Sequence, residues 1–120
     1  MKILLAFAAL GILSTGAFTN PVPAELSFKN DVTPVLKKYC FNCHSGERAD
    51  KGLKVDSYDR LMKGTNYGVV VKAGKSAESV IIKSVKGQPG GSKMPPGRRT
   101  MKEAEIKILA DWIDQGAKNN

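Results

Sequence analysis

The stretch "KKYCFNCHSG", Lys37 to Gly46, contains both cysteines and the only histidine of the 120-residue chain. No other stretch constrains the fold as strongly, because whatever Cys40, Cys43 and His44 hold must be completed by residues that are neither Cys nor His. In a helical turn, positions i, i+3 and i+4 project from one face, so the two thiols and the imidazole point the same way. Three uses are open. A Cys40–Cys43 pair could be a redox-active C-x-x-C, but that motif expects a βαβ context which the neighbouring residues do not supply. A zinc ion would need a fourth ligand, which only an Asp or Glu could give. The third use is covalent attachment of haem, for which C-x-x-C-H is the c-type motif. Each thiol then adds to a vinyl group, and the imidazole beside the second meets the iron.

If the motif holds haem, the other face of the iron needs a ligand, and His44 has no second histidine to share the task. The methionines beyond the N-terminal segment are Met62, Met94 and Met101. Met62 falls in an expected short helix, where it reads as a filler. Met101 sits at the first position after the expected cap of the last helix. Met94 lies in "SKMPPG", inside Gly87 to Arg99, where glycine and proline leave no room for a helix or a central strand. A loop of that length invites a functional reading. Pro95 keeps Met94 out of the α region, and Pro96 stiffens the next step. Met94 is therefore the candidate sixth ligand. The alternative, that Pro95 and Pro96 only start the turn before the last helix, stays open. A His44/Met94 pair raises the reduction potential relative to two imidazoles. It also fills both axial positions, which favours outer-sphere electron transfer over catalysis.

The N-terminus bears on compartment. Met1-Lys2 is followed by the uncharged apolar run Ile3 to Leu13, shorter than the about 20 residues that a bilayer-spanning helix needs. Together with Thr15 and Ala17 as small residues before a cut, this predicts a secretory signal peptide over 1–17, with cleavage after Ala24 as the weaker option. A loose segment over 18–27 would follow, then one domain over 28–120. About 100 residues make one small domain, whose modest core gains from a staple or a cofactor.

Within that domain the pattern predicts an all-α fold. A first helix is expected from about Val32 to Cys40, with Asp31 as N-cap, Pro34 at its third position, and Val35, Leu36 and Tyr39 on the apolar face. A short helix over Tyr58–Lys63 follows, with Ser57 as cap and Gly64 as stop. "VVVKAG", Val69 to Gly74, reads as a short strand or an extended connection. Ser76 is expected to cap a helix over Ala77 to about Lys86, with Val80, Ile81 and Val85 at helical spacing. "TMKE" reads as a capping box, Thr100 at N-cap and Glu103 at N3. It opens a last helix whose stripe is Ile106, Leu109, Trp112 and Ile113, ended by Gly116.

On these residues the chain resembles a class I monohaem cytochrome c, and more narrowly the planctomycete-type cytochrome c domain. The segments that carry the resemblance are "FKNDVTPVLKKYCFNCH", "GLKVDSYDRLMKG", "AGKSAESVII", "KMPP" and "WIDQGA", spanning Phe28 to Ala117. The pattern departs at Ala73 and Ser76, where the family has proline. The resemblance implies a small fold whose first and last helices cross around one covalent haem c, bound through Cys40 and Cys43, with His44 and Met94 on the iron. Trp112 is then expected as a core residue at the crossing. Tyr67, Lys72, Lys75 and Arg98 are candidate partners for the haem propionates.

The net charge of +8 has little to do with nucleic acid in an exported protein. It suits attraction to acidic protein surfaces. Lys37, Lys38, Arg48, Lys51, Lys93, Arg98, Arg99 and Lys102 flank the two ligand stretches and form a candidate docking ring, with general solubility as the bland alternative. The expected function is a diffusible one-electron carrier, monomeric, with no membrane span after cleavage, and periplasmic. It is not an enzyme. Two alternatives are a dedicated electron-transfer subunit of one redox enzyme, and a gas or redox sensor in which Met94 leaves the iron.

Overall fold

A computed structural model describes residues 16, 17, 21 and 23–120. The apolar run of the expected signal peptide lies outside the described residues. Four α-helices order the domain: α1 (Thr33–Tyr39), α2 (Tyr58–Lys63), α3 (Val80–Val85) and α4 (Glu103–Asp114). Among the described residues there is no strand, only an isolated bridge between Thr65 and Gly68. The all-α class read from the sequence is what the chain adopts. No helix of the described residues is long and apolar enough to cross a membrane.

The first helix begins earlier than the sequence suggests. A π-helical turn, Phe28–Val32, runs directly into α1. Its cap is Ser27, whose Oγ accepts from the Asn30 N–H, while the Asp31 carboxylate accepts from the Ser27 N–H at 2.7 Å. Asp31 thus closes the cap from the inside instead of forming it. The wide turn has a reason in Pro34, at the start of α1. A proline ring in an α-helix collides with the carbonyl four residues back, and the extra residue of a π turn moves that carbonyl away.

Two further starts differ from expectation. The helix placed over 77–86 is broken at Ser79, whose backbone is extended, so a 3-10 turn (Ser76–Glu78) precedes α3. Ser79 is fully buried. Its Oγ accepts from the Lys72 N–H at 2.9 Å and donates to the Lys75 carbonyl, and these bonds require the non-helical bend. Ser76 caps nothing, its hydroxyl pairing with Asp114 of α4 at 2.8 Å. The capping box at Thr100 does not form either. Residues 100–102 stay out of the helix and α4 starts at Glu103 behind Lys102, without a side-chain cap. That course carries Met101 into the core, where it is 6 % exposed.

Other expectations hold. α2 lies where it was read, with the Ser57 Oγ accepting from the Arg60 N–H. Val69 to Gly74 is a connection and not a strand, with a bend at Val70 and a turn at Ala73 and Gly74. Gly64 has a φ of +84°, and a Cβ there would meet the Gly68 carbonyl oxygen at 2.4 Å.

The core lies between the N-terminal helical segment and α4, which contact each other. Phe28, Tyr58 and Trp112 meet as an aromatic trio, with ring centroids 5.4 Å (Phe28–Tyr58) and 5.5 Å (Phe28–Trp112) apart. Val35, Leu36, Ile106, Leu109 and Ile113 are buried around them. Trp112 is a core residue, 1 % exposed, with its Nε1–H donating to the Lys118 carbonyl. The boundary expected at residue 28 is no break in packing. Leu26 donates to Gln115, Gln115 donates to the Ala24 carbonyl, and Ser27 and Lys29 both donate to the Asn120 carbonyl.

Candidate functional site

α1 ends at Tyr39, and the chain then makes one more helix-like turn in which the His44 N–H donates to the Cys40 carbonyl at 2.9 Å. That turn is locked from three sides. Ser45 Oγ donates to the Phe41 carbonyl, the Asp50 N–H to the Cys43 carbonyl, and the Val55 N–H to the His44 carbonyl. Cys40 and His44 therefore face one cavity of about 520 Å³, a size within the range of small-molecule and cofactor sites. Its walls are mostly aliphatic: Leu53, Val55, Val70, Val80, Ile81 and Val85. Met94 reaches the same cavity from the Gly/Pro loop. Cys43 is exposed and lines a small adjoining void together with Cys40, His44 and Met94. All four residues singled out in the sequence are thus brought together.

The other two methionines are not. Met62 packs against the hydrophobic core. Met101 is buried, touching only the small void. Among the described residues no three His, Cys, Asp or Glu side chains gather into a metal-holding group, so the zinc arrangement has no acidic fourth ligand at hand. Cys40 and Cys43 are not joined in a disulfide. Burial pushes the Cys40 thiol up to about 11, opposed by the positive charge of Arg99.

His44 is 8 % exposed, and its Nδ1 is buried without a hydrogen-bond partner. An orphaned polar atom of this kind costs about 1–3 kcal/mol, unless the ring has another use. The cavity rim supplies a second anomaly. Lys51, whose side chain is the one cation among the lining residues, has a φ of +53°, a conformation that costs a non-glycine residue about 1–2 kcal/mol. The Asn66 N–H donates to its carbonyl at 3.0 Å, and this holds the 50–52 turn against the 65–68 turn. Tyr67 of that second turn and Val69 just after it are 87 % and 53 % exposed at the same rim.

Residues 40–97 match the family model for Planctomycete cytochrome C. The chain carries a planctomycete-type cytochrome c domain. No curated protein and no solved structure matches the chain. The family implies covalent haem c, and the cytochrome domain fits that group on its own terms. It offers an aliphatic cavity, two thiols at the motif spacing beside it, an imidazole with an unpartnered nitrogen, and a thioether. The family is typically one of electron-transfer proteins.

The basic residues around the two ligand stretches differ in their surroundings. Lys38 pairs with Glu105 of α4 at 2.7 Å, and Tyr39 donates to the same carboxylate. The hydrogen bond from Lys38 holds the Glu105 carboxyl below the usual range, with Tyr39 adding to it. Lys93 and Arg99 are engaged with backbone carbonyls. Lys37, Arg48, Lys51, Arg98 and Lys102 are exposed and form no ion pair among the described residues. Of the propionate candidates only Tyr67 lines the cavity. Lys51 was grouped with the docking residues because its approach to the cavity depends on the 50–52 turn, which no local pattern announces.

Proposed function

We propose that the protein is an exported monohaem cytochrome c that carries single electrons, with haem c joined to Cys40 and Cys43 and its iron held between His44 and Met94. The observation that carries this reading is that Cys40, His44 and Met94, distant in sequence, line one apolar cavity. The bound group supplies one-electron Fe(III)/Fe(II) chemistry. The thiols of Cys40 and Cys43 would hold the group covalently. His44 lends a neutral imidazole nitrogen, and Met94 a soft thioether that favours the reduced metal. With His44 and Met94 both holding the metal, the site would leave no place for a substrate, which suits electron transfer rather than catalysis. The aliphatic walls exclude water and keep the local dielectric low.

Lys51 and Tyr67, at the rim, are the residues suited to the two carboxylates of the group. The exposed cations Lys37, Arg48, Arg98 and Lys102 suit an acidic redox partner, which they would steer by long-range attraction. Export is supported by the basic start and apolar run of Met1 to Leu13, and this points to the periplasm as the working compartment.

The test is an absorption spectrum of the purified protein in both redox states. A Soret band with sharp c-type bands in the reduced form is expected. A weak far-red sulfur-to-iron band in the oxidised form should disappear in Met94→Ala. A protein without a Soret band would refute the haem reading, and a far-red band surviving in Met94→Ala would refute the ligand assignment.

A further inference from the structure

The loop that carries Met94 has no regular secondary structure, yet it must present a thioether at a fixed point. Its anchors are polar. The Met94 N–H donates to the Ser84 carbonyl of α3 at 3.0 Å, and the Gln88 N–H to the Lys83 carbonyl at 2.8 Å. Gly91 lies so close to Ser84 that a Cβ would stand 2.6 Å from the Ser84 backbone nitrogen. These contacts fix the loop before Met94. After Met94 the chain has only Pro95 and Pro96, which have no N–H to donate, followed by Gly97.

One side chain makes up the deficit. The Lys93 ammonium donates to the carbonyls of Pro95 (3.1 Å), Gly97 (2.7 Å) and Arg99 (3.1 Å). An ammonium has three N–H donors and no acceptor, so all three are used on one loop. Hydrogen bonds from a charged donor are about twice as strong as neutral ones. The far end of the ring is tied on in turn, because Arg99 Nη2 donates to the Lys38 carbonyl at 3.2 Å, two residues before Cys40.

We propose that Lys93 is the positioning residue of the methionine loop: its ammonium gathers the three carbonyls that follow Met94 into a ring and so holds the Met94 thioether at the cavity. This rests on the His44/Met94 reading above. The ring links the two halves of the site through Arg99 and the end of α1. Lys93 therefore acts on how long Met94 would stay on the iron, and its own side chain does not line the cavity.

The experiment compares the haem-loaded wild type with Lys93→Met and Lys93→Arg. Denaturant titrations follow the far-red band, which reports Met94, and Trp112 fluorescence, which reports global unfolding. Stopped-flow mixing of the reduced protein with CO reports how often Met94 leaves the iron. In Lys93→Met the band is expected to vanish well before Trp112 is exposed, and CO to bind at least tenfold faster. Lys93→Arg, which also offers several donors, should recover most of both. Two results would overturn the proposal: band and CO rate within twofold of wild type, or band and fluorescence shifting together, which would make Lys93 a general stabiliser. Should Lys93→Met not accumulate loaded protein, Lys93→Gln is read by the same two criteria. A wild type lacking the band, or keeping it in Met94→Ala, would instead remove the ligand reading.

Discussion

Lys51 shows how one residue can be visible in a sequence and its role invisible. It is one of 19 Lys and Arg residues, and nothing in "RADKGLKV" sets it apart. In the fold it is the single cation among the cavity-lining residues, held in a left-handed conformation that lysine rarely adopts. Strain kept at a cavity rim points to a use for the side chain, and a carboxylate partner on the bound group supplies one. A positive charge near the iron disfavours the oxidised state, so its removal should lower the reduction potential. For Lys51→Gln the reduction equilibrium is expected to move toward the oxidised form by roughly three- to tenfold, from screened attraction between charges near a protein surface. Lys51→Glu should move it further in the same direction. Spectroelectrochemical titration measures this, and an unchanged or raised potential in both variants would remove Lys51 from the site. By contrast Cys40, Cys43, His44 and Met94 stand out in the sequence as candidates, because residue type, spacing and scarcity all act within a short window or on the whole composition.

At the scale of elements, legibility followed how local the deciding interaction is. α2 was read correctly because its signals, Ser57 before it and Gly64 after it, act within their own turn. α4 was found by its stripe of Ile106, Leu109, Trp112 and Ile113, yet its start was misplaced. Thr100 and Glu103 have the spacing of a capping box, but burial of Met101 keeps the intervening backbone extended. Ser79 likewise breaks an otherwise helical pattern because its hydroxyl serves two backbone groups of the preceding connection. In both places a tertiary demand outweighs a local preference, and no window of sequence contains the demand. The two caps can be told apart by measurement. Ser57→Ala removes a formed cap and should cost about 1 kcal/mol. Thr100→Ala removes an exposed residue with no capping bond and should fall within about 0.5 kcal/mol of wild type. Urea unfolding of the loaded protein gives both values. A loss at Thr100 equal to that at Ser57 would mean the capping box forms after all.

For the whole molecule the question is what holds the cavity open. One side of the domain has a conventional core in which Phe28, Tyr58 and Trp112 join the N-terminal segment, α2 and α4. The Lys29 N–H and the Ser27 hydroxyl both donate to the Asn120 carbonyl, which ties the N-terminal helical segment to the C-terminus there. The other side, made of the 51–55 and 65–70 segments, α3 and the methionine loop, faces the cavity with aliphatic side chains. Val55, Val70 and Ile81 count among the buried core residues and also line that cavity. A bound group would give these walls an apolar partner across the cavity, while the fixed turn at Cys40–His44 and the loop anchors oppose their closing on each other without one. A domain of this size has a stability of only about 5–15 kcal/mol when complete, and a group that binds the folded state alone contributes directly to that total. The haem-free Cys40→Ser/Cys43→Ser chain is therefore expected to lack a cooperative thermal transition and to show weak near-ultraviolet circular dichroism from Trp112. The loaded protein should melt in a single step. Calorimetry of the two forms decides the matter: a sharp, native-like melt of the haem-free chain would show that the aromatic side of the core suffices alone, and that the cavity is preformed rather than completed by what it binds.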